Sequence, residues 1–258
     1  MIAAHNLCWS ISQKSILQDI DFSAAPGELV VFLGTNGAGK SSLFRCLSGW
    51  TRPTSGTALL NGNPAHQMAP NHRANLLGWL PQKQQLSDPI LVKDAVACGR
   101  FRFQETAHTK NEKVKEALHF MEISSLAEQR WDSLSGGEAQ RVSLATLHAQ
   151  EATAWLLDEP ANHLDPAVQQ QVYQKLITWW LGGGTLLLIT HDLNLLFQTV
   201  PQDKHSQVRI IGLADGCRAF ESHLAAEELS AHIGALYNLE VSTFTAFGTP
   251  HLAFGKRP

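Results

Sequence analysis

The chain has 258 residues, a hydrophobic fraction of 44%, a charged fraction of 17% and a formal net charge of −3. This balance excludes a disordered chain, and it gives no overall basic field that would point to nucleic acid. The N-terminus lacks the pattern of a signal peptide, and the longest apolar run, WWLGGGTLLLI, is too short and too broken by glycine to span a bilayer. We therefore expect a folded soluble chain, whose four scattered cysteines are free thiols.

The predicted elements begin with strands. Alternating Ile16, Ile20 and Phe22 precede the turn APGE, and LVVFLG is the β-branched apolar run of a strand buried on both faces. The segment KSSLFRCLSG then predicts a helix that ends at Gly49. TALLNG and LLGWLPQ predict two further strands.

From about residue 84 to residue 132 the pattern becomes helical, with Val114, Leu118 and Met121 on one side of residues 111–129. This indicates a helical lobe inserted into an α/β core. ATAWLLDEP and GTLLLITHD predict buried strands, and VRIIGLADGCRAF predicts a hairpin that turns at Asp215 and Gly216. After Leu224 we expect one short amphipathic helix and weak strands.

The segment GTNGAGKSS, residues 34–42, matches the phosphate-loop pattern G-x-x-x-x-G-K-[ST] between a strand and a helix. Its glycines let backbone N–H groups turn inward around phosphate oxygens, and the helix N-terminus adds partial positive charge. Lys40 would reach the β- and γ-phosphates, and Ser41 would bind Mg²⁺. The predicted ATP-binding residues of the loop are Gly34, Thr35, Asn36, Gly37, Ala38, Gly39, Lys40, Ser41 and Ser42.

The segment AWLLDEP delivers two carboxylates at the carboxyl end of a predicted strand, where open α/β sheets bind ligands. Asp158 would hold Mg²⁺ through water, and Glu159 would polarise the attacking water as a general base.

The segment LSGGE adds a second glycine turn before a helix, formed by Ser135, Gly136, Gly137 and Glu138. With the phosphate loop, the DE pair and His191 in this order, the chain resembles the ATP-binding-cassette ATPases from about Ile2 to at least Phe220. The resemblance implies an α/β P-loop NTPase fold: a RecA-like mixed sheet, an N-terminal antiparallel β-subdomain and an inserted helical subdomain. It assigns residues 1–83 and 151–220 to the catalytic core, 84–150 to the helical subdomain and 221–258 to a C-terminal extension of one domain.

The resemblance also implies that two copies pair head to tail. Ser135 and Gly137 of one copy would then face the γ-phosphate held by Lys40 of the other, so that isolated monomers hydrolyse ATP poorly.

Four further positions take their roles from this resemblance. Gln82 would contact Mg²⁺ or water and act as a hinge, and His191 would contact the γ-phosphate. Asp165 would lie across the dimer interface. Trp9 would stack on adenine, although Ile11 lies near the same position and packing of Trp9 in the core stays open as the alternative.

Two stretches resemble the ATPases of ferric-siderophore, haem and cobalamin importers: residues 90–103, and residues 232–241, where Asn238 replaces a glycine.

The implied partners are a second copy, two permease subunits that dock on residues 84–103, and a periplasmic or extracellular binding protein. The expected location is the cytoplasmic face of the membrane. An exporter ATPase, or an importer of another substrate, stays open as the alternative.

Other cassette proteins fit less well. A translation-factor cassette protein usually carries two cassettes, whereas this chain has one. A DNA-repair cassette separates its motifs by a long coiled coil, but no sustained heptads lie between Lys40 and Ser135. An ATP-binding regulator without catalysis is disfavoured because Glu159 and His191 are both present.

Overall fold

The computed structural model describes residues 1–82, 89–162, 164–246 and 248–256. Its strands, in chain order, are β1 Ile2–Ile11, β2 Lys14–Ala24, β3 Leu29–Leu33, β4 Ser55–Leu60, β5 Asn63–Pro64, β6 Leu77–Leu80, β7 Ala154–Asp158, β8 Thr185–Ile189, β9 Val208–Ala214, β10 Cys217–His223, β11 Leu239–Ala246 and β12 Thr249–Lys256. The α-helices are α1 Lys40–Leu47, α2 Pro70–Leu76, α3 Val92–Ala97, α4 Ala107–Phe120, α5 Gly136–Ala149, α6 Pro166–Leu181, α7 Leu193–Thr199 and α8 Leu229–Tyr237. Short 3-10 turns connect several of them.

The strands form a mixed sheet and a separate antiparallel sheet. The large sheet has the order β10-β9-β3-β8-β7-β6, and the second sheet has the order β2-β1-β4-β5. Neighbours from β9 to β6 are parallel, whereas β10 pairs antiparallel with β9 in the predicted hairpin. The expected α/β class, with an N-terminal antiparallel sheet and inserted helices, is confirmed.

The central strands are buried on both faces because the chain places apolar side chains at consecutive positions. Every residue of β3, β7 and β8 is buried. Along β3, Val30 and Phe32 face a cluster with α1 and the antiparallel sheet. Leu29, Val31 and Leu33 face the opposite cluster, which includes residues of α3 to α8. The sheet is therefore a middle layer between two hydrophobic cores.

Helices α3, α4 and α5 pack against one another, in the stretch where the sequence predicts helices. The buried Arg100 side chain supports this packing, since it forms ion pairs with Glu105 at 2.6 Å and with the more exposed Glu151 at 2.9 Å. The division of the chain into core, helical and C-terminal segments stays a prediction. Within the described ranges, no helix is long and apolar enough to cross a membrane.

Other expectations can be compared with the structure directly. Helix α1 ends at Leu47, and Gly49 follows it with a φ of 69°. All four cysteines are free, as expected. The tail forms helix α8 and the β11–β12 hairpin, so its weak strand pattern corresponds to real strands. Residues 84–88 of the expected permease-docking stretch lie outside the described residues.

Candidate nucleotide-binding site

The candidate site lies at the carboxyl edge of three neighbouring parallel strands. β3 leads into Gly34, β7 leads into Glu159, and β8 leads towards His191. The register sets Phe32 and Asp158 each opposite Ile189 of β8. Three segments that are distant in sequence therefore reach one edge of the sheet, where ligands of open α/β folds bind.

The phosphate loop uses glycine where the backbone must turn. Gly37 and Gly39 have φ values of 86° and 99°, which favour glycine because it has no Cβ. The Lys40 ammonium donates hydrogen bonds to the carbonyl oxygens of Gly34, at 2.6 Å, and Thr35, at 3.0 Å. Burial lowers the pKa of Lys40, although the charges of Glu159 and Asp158 act in the opposite direction. A phosphate group that replaced these carbonyls would give Lys40 a full negative charge as its partner.

A cavity of about 900 Å³ opens beside the loop, which is enough room for a nucleotide. Nine of the predicted site residues line it: Asn36, Gly37, Ala38, Gly39, Lys40, Ser41, Ser42, Gln82 and Glu159. Gly34 and Thr35 are not among the lining residues, but their carbonyl oxygens accept hydrogen bonds from the Lys40 ammonium. Six further residues line the cavity without belonging to any site motif of the sequence: Lys14, Ser15, Ile16, Gln18, Asp215 and Gly216.

The Glu159 carboxylate is held by three side chains. Gln82 and Asn162 each donate an amide hydrogen bond to Oε2 at 2.6 Å, and His191 Nε2 lies 2.9 Å from Oε1. Only 9% of the Glu159 side chain is exposed. Its φ of 52° is unusual for a residue other than glycine, and such strained backbone clusters at functional sites. The structure thus brings Gln82 and His191 together on Glu159, and it adds Asn162 to them.

Asp158 lies next to this cluster and is 3% exposed. Its pKa is raised, first by burial, while a hydrogen bond with Ser41 acts in the opposite direction. Among the described residues, no group of three or more His, Cys, Asp or Glu could hold a metal ion. The carboxylate and hydroxyl oxygens of Asp158 and Ser41 nevertheless fit Mg²⁺, which keeps several waters and takes phosphate oxygens as further ligands.

The LSGGE segment starts helix α5 and does not line this cavity. Ser135 is the N-cap, and it forms a capping box with Glu138. The Ser135 hydroxyl lies 2.6 Å from Glu138 Oε2 and accepts the Glu138 N–H at 3.3 Å. Ser135 and Gly136 are exposed, and a Cβ on Gly136 would meet no atom within 4 Å. The start of α5 therefore offers an open surface, bounded by the partly buried Gly137 and Glu138.

Asp165 and Trp9 also lie away from the cavity lining. Asp165 caps α6 by accepting hydrogen bonds from Ala167 and Val168, both at 3.1 Å. Trp9 is half-buried and packs against the core between α1 and the antiparallel sheet. The structure does not bring Trp9 to the described walls of the cavity, because its position in β1 directs it into that core. Ile11 is 50% exposed and is not among these walls either.

Asn162 was not predicted as a site residue, although its position in the sequence could have indicated it. It is an amide three positions after Glu159, within reach of a turn, and its N–H indeed donates to the Glu159 carbonyl at 3.2 Å. Tyr173 and Thr190, which share a 2.5 Å hydrogen bond beside Glu159 and His191, had no such indication in the sequence. Their proximity depends on how α6 packs on the sheet.

Comparison with known proteins agrees with this geometry. Residues 17–162 match the family model described as ABC transporter. The chain is 34% identical over 247 residues to the hemin import ATP-binding protein HmuV of Pseudomonas putida, covering 93% of this chain and 94% of that protein.

Two solved structures share the fold. One is assigned to the metal-chelate type of ABC transporter, in an inward-facing conformation, with a TM-score of 0.80, 24% identity and coverage of 98% of this chain and 96% of the other. The other is the dimeric, post-hydrolysis ATP-binding cassette MJ0796 bound to ADP and phosphate, with a TM-score of 0.77, 22% identity and coverage of 88% and 100%.

The phosphate loop and the strand-end carboxylates define a P-loop ATPase. The family model matches residues 17–162, which is more than half of the chain. This chain therefore belongs to the ABC transporter family, whose ATPase domain binds and hydrolyses ATP.

Proposed function

We propose that this chain powers a membrane importer of an iron chelate, with haem as the first candidate. The relative from Pseudomonas putida, which matches nearly the whole chain, carries hemin import in its name, and this favours import over the exporter alternative. The observation that carries the catalytic part is the Glu159 carboxylate, which lines the phosphate-loop cavity and is held by Gln82, Asn162 and His191.

In the proposed reaction, residues 34–42 bind the phosphates and Lys40 exchanges its loop carbonyls for phosphate oxygens. Glu159 orients the attacking water and accepts its proton, and His191, within reach of Glu159, contacts the γ-phosphate. Asp158, Ser41 and Gln82 would hold Mg²⁺, whose charge neutralises the phosphates. Most of the rate enhancement then comes from positioning and charge stabilisation.

The proposed active unit is a homodimer. Ser135 and Gly136 are exposed and lie off the cavity of their own chain, so a head-to-tail copy is the arrangement that would use them. The start of α5 would then point N–H groups at the γ-phosphate of the partner's nucleotide. In the dimer, Glu138 would release the Ser135 hydroxyl for this contact. Asp165 would lie at the interface between the two copies.

Further partners follow from the importer proposal. Two permease subunits would dock on residues 84–103, which places the chain at the cytoplasmic side of the membrane, and a separate binding protein would deliver the substrate. The test is transport by the reconstituted complex of ATPase, cognate permease and binding protein. We expect ATP-dependent haem uptake into vesicles that stops with Glu159→Gln. Uptake of another iron chelate, but not of haem, would overturn the choice of haem, and outward transport would overturn import.

A further inference from the structure

The C-terminal segment reaches the first residue of the phosphate loop. Tyr237, the last residue of α8, accepts a hydrogen bond at its hydroxyl oxygen from the Gly34 N–H, at 3.1 Å. The two residues are separated by 203 positions. Burial raises the pKa of Tyr237, so the hydroxyl stays protonated at neutral pH and the contact does not switch there.

Gly34 is the residue at which β3 becomes the phosphate loop, and it is constrained on three sides. Its N–H donates to Tyr237, and its carbonyl oxygen accepts from the Lys40 ammonium. A Cβ at this position would lie 2.3 Å from the Leu213 carbonyl oxygen, and its φ is 151°. Tyr237 is thus the side chain that fixes the entrance of the loop opposite the ammonium that is proposed to bind phosphate.

The tail that carries Tyr237 is itself anchored. Leu229 and Ile233 of α8 are buried in the core, and His232 stacks on Phe220 with ring centroids 4.9 Å apart. The β11–β12 hairpin continues from α8 and docks on α7. Asn194 donates to the Leu252 carbonyl at 3.1 Å and accepts the Leu252 N–H at 2.7 Å. Helix α7 begins two residues after His191. The tail therefore contacts the phosphate loop at Gly34 and the helix that follows His191.

We propose that Tyr237 is a positioning residue for nucleotide binding, which holds Gly34 so that the phosphate loop stays in its binding-competent arrangement. The inference rests on the proposed role of residues 34–42. Phenylalanine keeps the ring and its packing but removes the acceptor, and the Gly34 N–H loses its partner. The loop then populates other arrangements, and the apparent Kd for ATP rises in inverse proportion to the competent fraction.

The experiment measures the Kd of a fluorescent ATP analogue, the kcat of ATP hydrolysis and the Tm of the full chain. We expect Tyr237→Phe to weaken binding about three- to tenfold, as for the loss of one hydrogen bond. We expect its kcat to change by less than about twofold, since the contacts found for Glu159 and His191 within the described residues do not include Tyr237. The matched control is Leu236→Ala, which removes packing from the adjacent position of α8 and keeps the hydroxyl. It should lower Tm and leave Kd unchanged.

A Kd for Tyr237→Phe equal to that of the unaltered chain would overturn the proposal. So would an equal rise in Kd for both variants, because the tail would then act through stability alone. Lys40→Ala separates this result from failure of the proposed function. If the unaltered chain binds the analogue and Lys40→Ala does not bind less, the phosphate-loop role itself is wrong and the inference falls with it.

Discussion

The Gln82 amide donates a 2.6 Å hydrogen bond to the Glu159 carboxylate across 77 positions of sequence. The contact exists because Gln82 follows β6 and Glu159 follows β7, and these parallel neighbours end together, with Leu80 opposite Leu157. Gln82 also leads directly into the stretch proposed to dock the permease. A displacement of that stretch would therefore reach the proposed general base through one side chain, which is a short physical route between the permease and hydrolysis.

We expect Glu159→Gln to bind ATP and to hydrolyse it about 10²–10⁴ times more slowly, because the amide cannot accept the proton of the attacking water. The measurement is phosphate release at saturating ATP, together with binding of a fluorescent analogue. The matched control is Glu128→Gln, on an exposed carboxylate that pairs with Lys93 at 2.7 Å. Hydrolysis by Glu159→Gln at a rate close to that of the control would refute the assigned role.

Asn162→Ala should lower kcat by about tenfold or more, since a hydrogen bond to a charged group contributes about 1.5–3 kcal/mol and here orients the Glu159 carboxylate. The KM for ATP should change much less, because Asn162 is not among the described walls of the phosphate-loop cavity. Asn63→Ala is the control, on an exposed amide that donates only to the Asn61 carbonyl among the contacts described. An unchanged kcat in Asn162→Ala would show that Gln82 and His191 suffice to hold Glu159.

Asp158→Asn should stabilise the nucleotide-free chain at neutral pH while it weakens hydrolysis. Burial raises the pKa of Asp158, so the folded chain binds this proton more readily than the unfolded chain. The stabilising contribution of the protonated form is complete below the ordinary pKa of about 3.9 and is lost as the pH rises through the raised value. At neutral pH the ionised carboxylate therefore costs folding free energy, which asparagine avoids.

The measurement is Tm against pH without nucleotide or Mg²⁺. At neutral pH the Tm of Asp158→Asn should exceed that of the unaltered chain by a few degrees, because 1 kcal/mol of unfolding free energy shifts Tm by about 2–4 °C. The difference should shrink in acid. Asp132→Asn is the control, and it should lower Tm at neutral pH. Arg130 lowers the pKa of that exposed carboxylate, so its ionised form stabilises the folded chain. A neutral-pH Tm for Asp158→Asn at or below that of the unaltered chain would contradict the argument.

Complementation tests the head-to-tail dimer. Lys40→Ala and Ser135→Arg should each abolish activity, and their mixture should recover it in dimers that combine one doubly mutated site with one intact site. The readout is ATPase activity against mixing ratio, with mixed dimers isolated by two different affinity tags. Mixed dimers with no more activity than either variant alone would show that the sites are not shared, or that one intact site is insufficient.

Sequence reasoning predicted the fold class well because its strongest signals are local. The β3 run LVVFL and the glycines of the phosphate loop determine their own backbone, so their structure could be foreseen. Trp9 shows the limit of this reasoning. Its spacing from the loop suggested contact with adenine, but the register of β1 against β2 and β4 directs its ring towards a core, and such registers depend on long-range pairing.

The local sequence encodes the chemistry of the site: a phosphate loop with Lys40, two carboxylates after an apolar strand, and a capped glycine turn at Ser135. Which of these groups meet depends on long-range strand pairing and helix packing. Parallel register placed Gln82, Glu159 and His191 at one sheet edge, and packing of the tail set Tyr237 on Gly34. These contacts join positions far apart in the chain, whose proximity depends on the packing of whole strands and helices rather than on any local pattern.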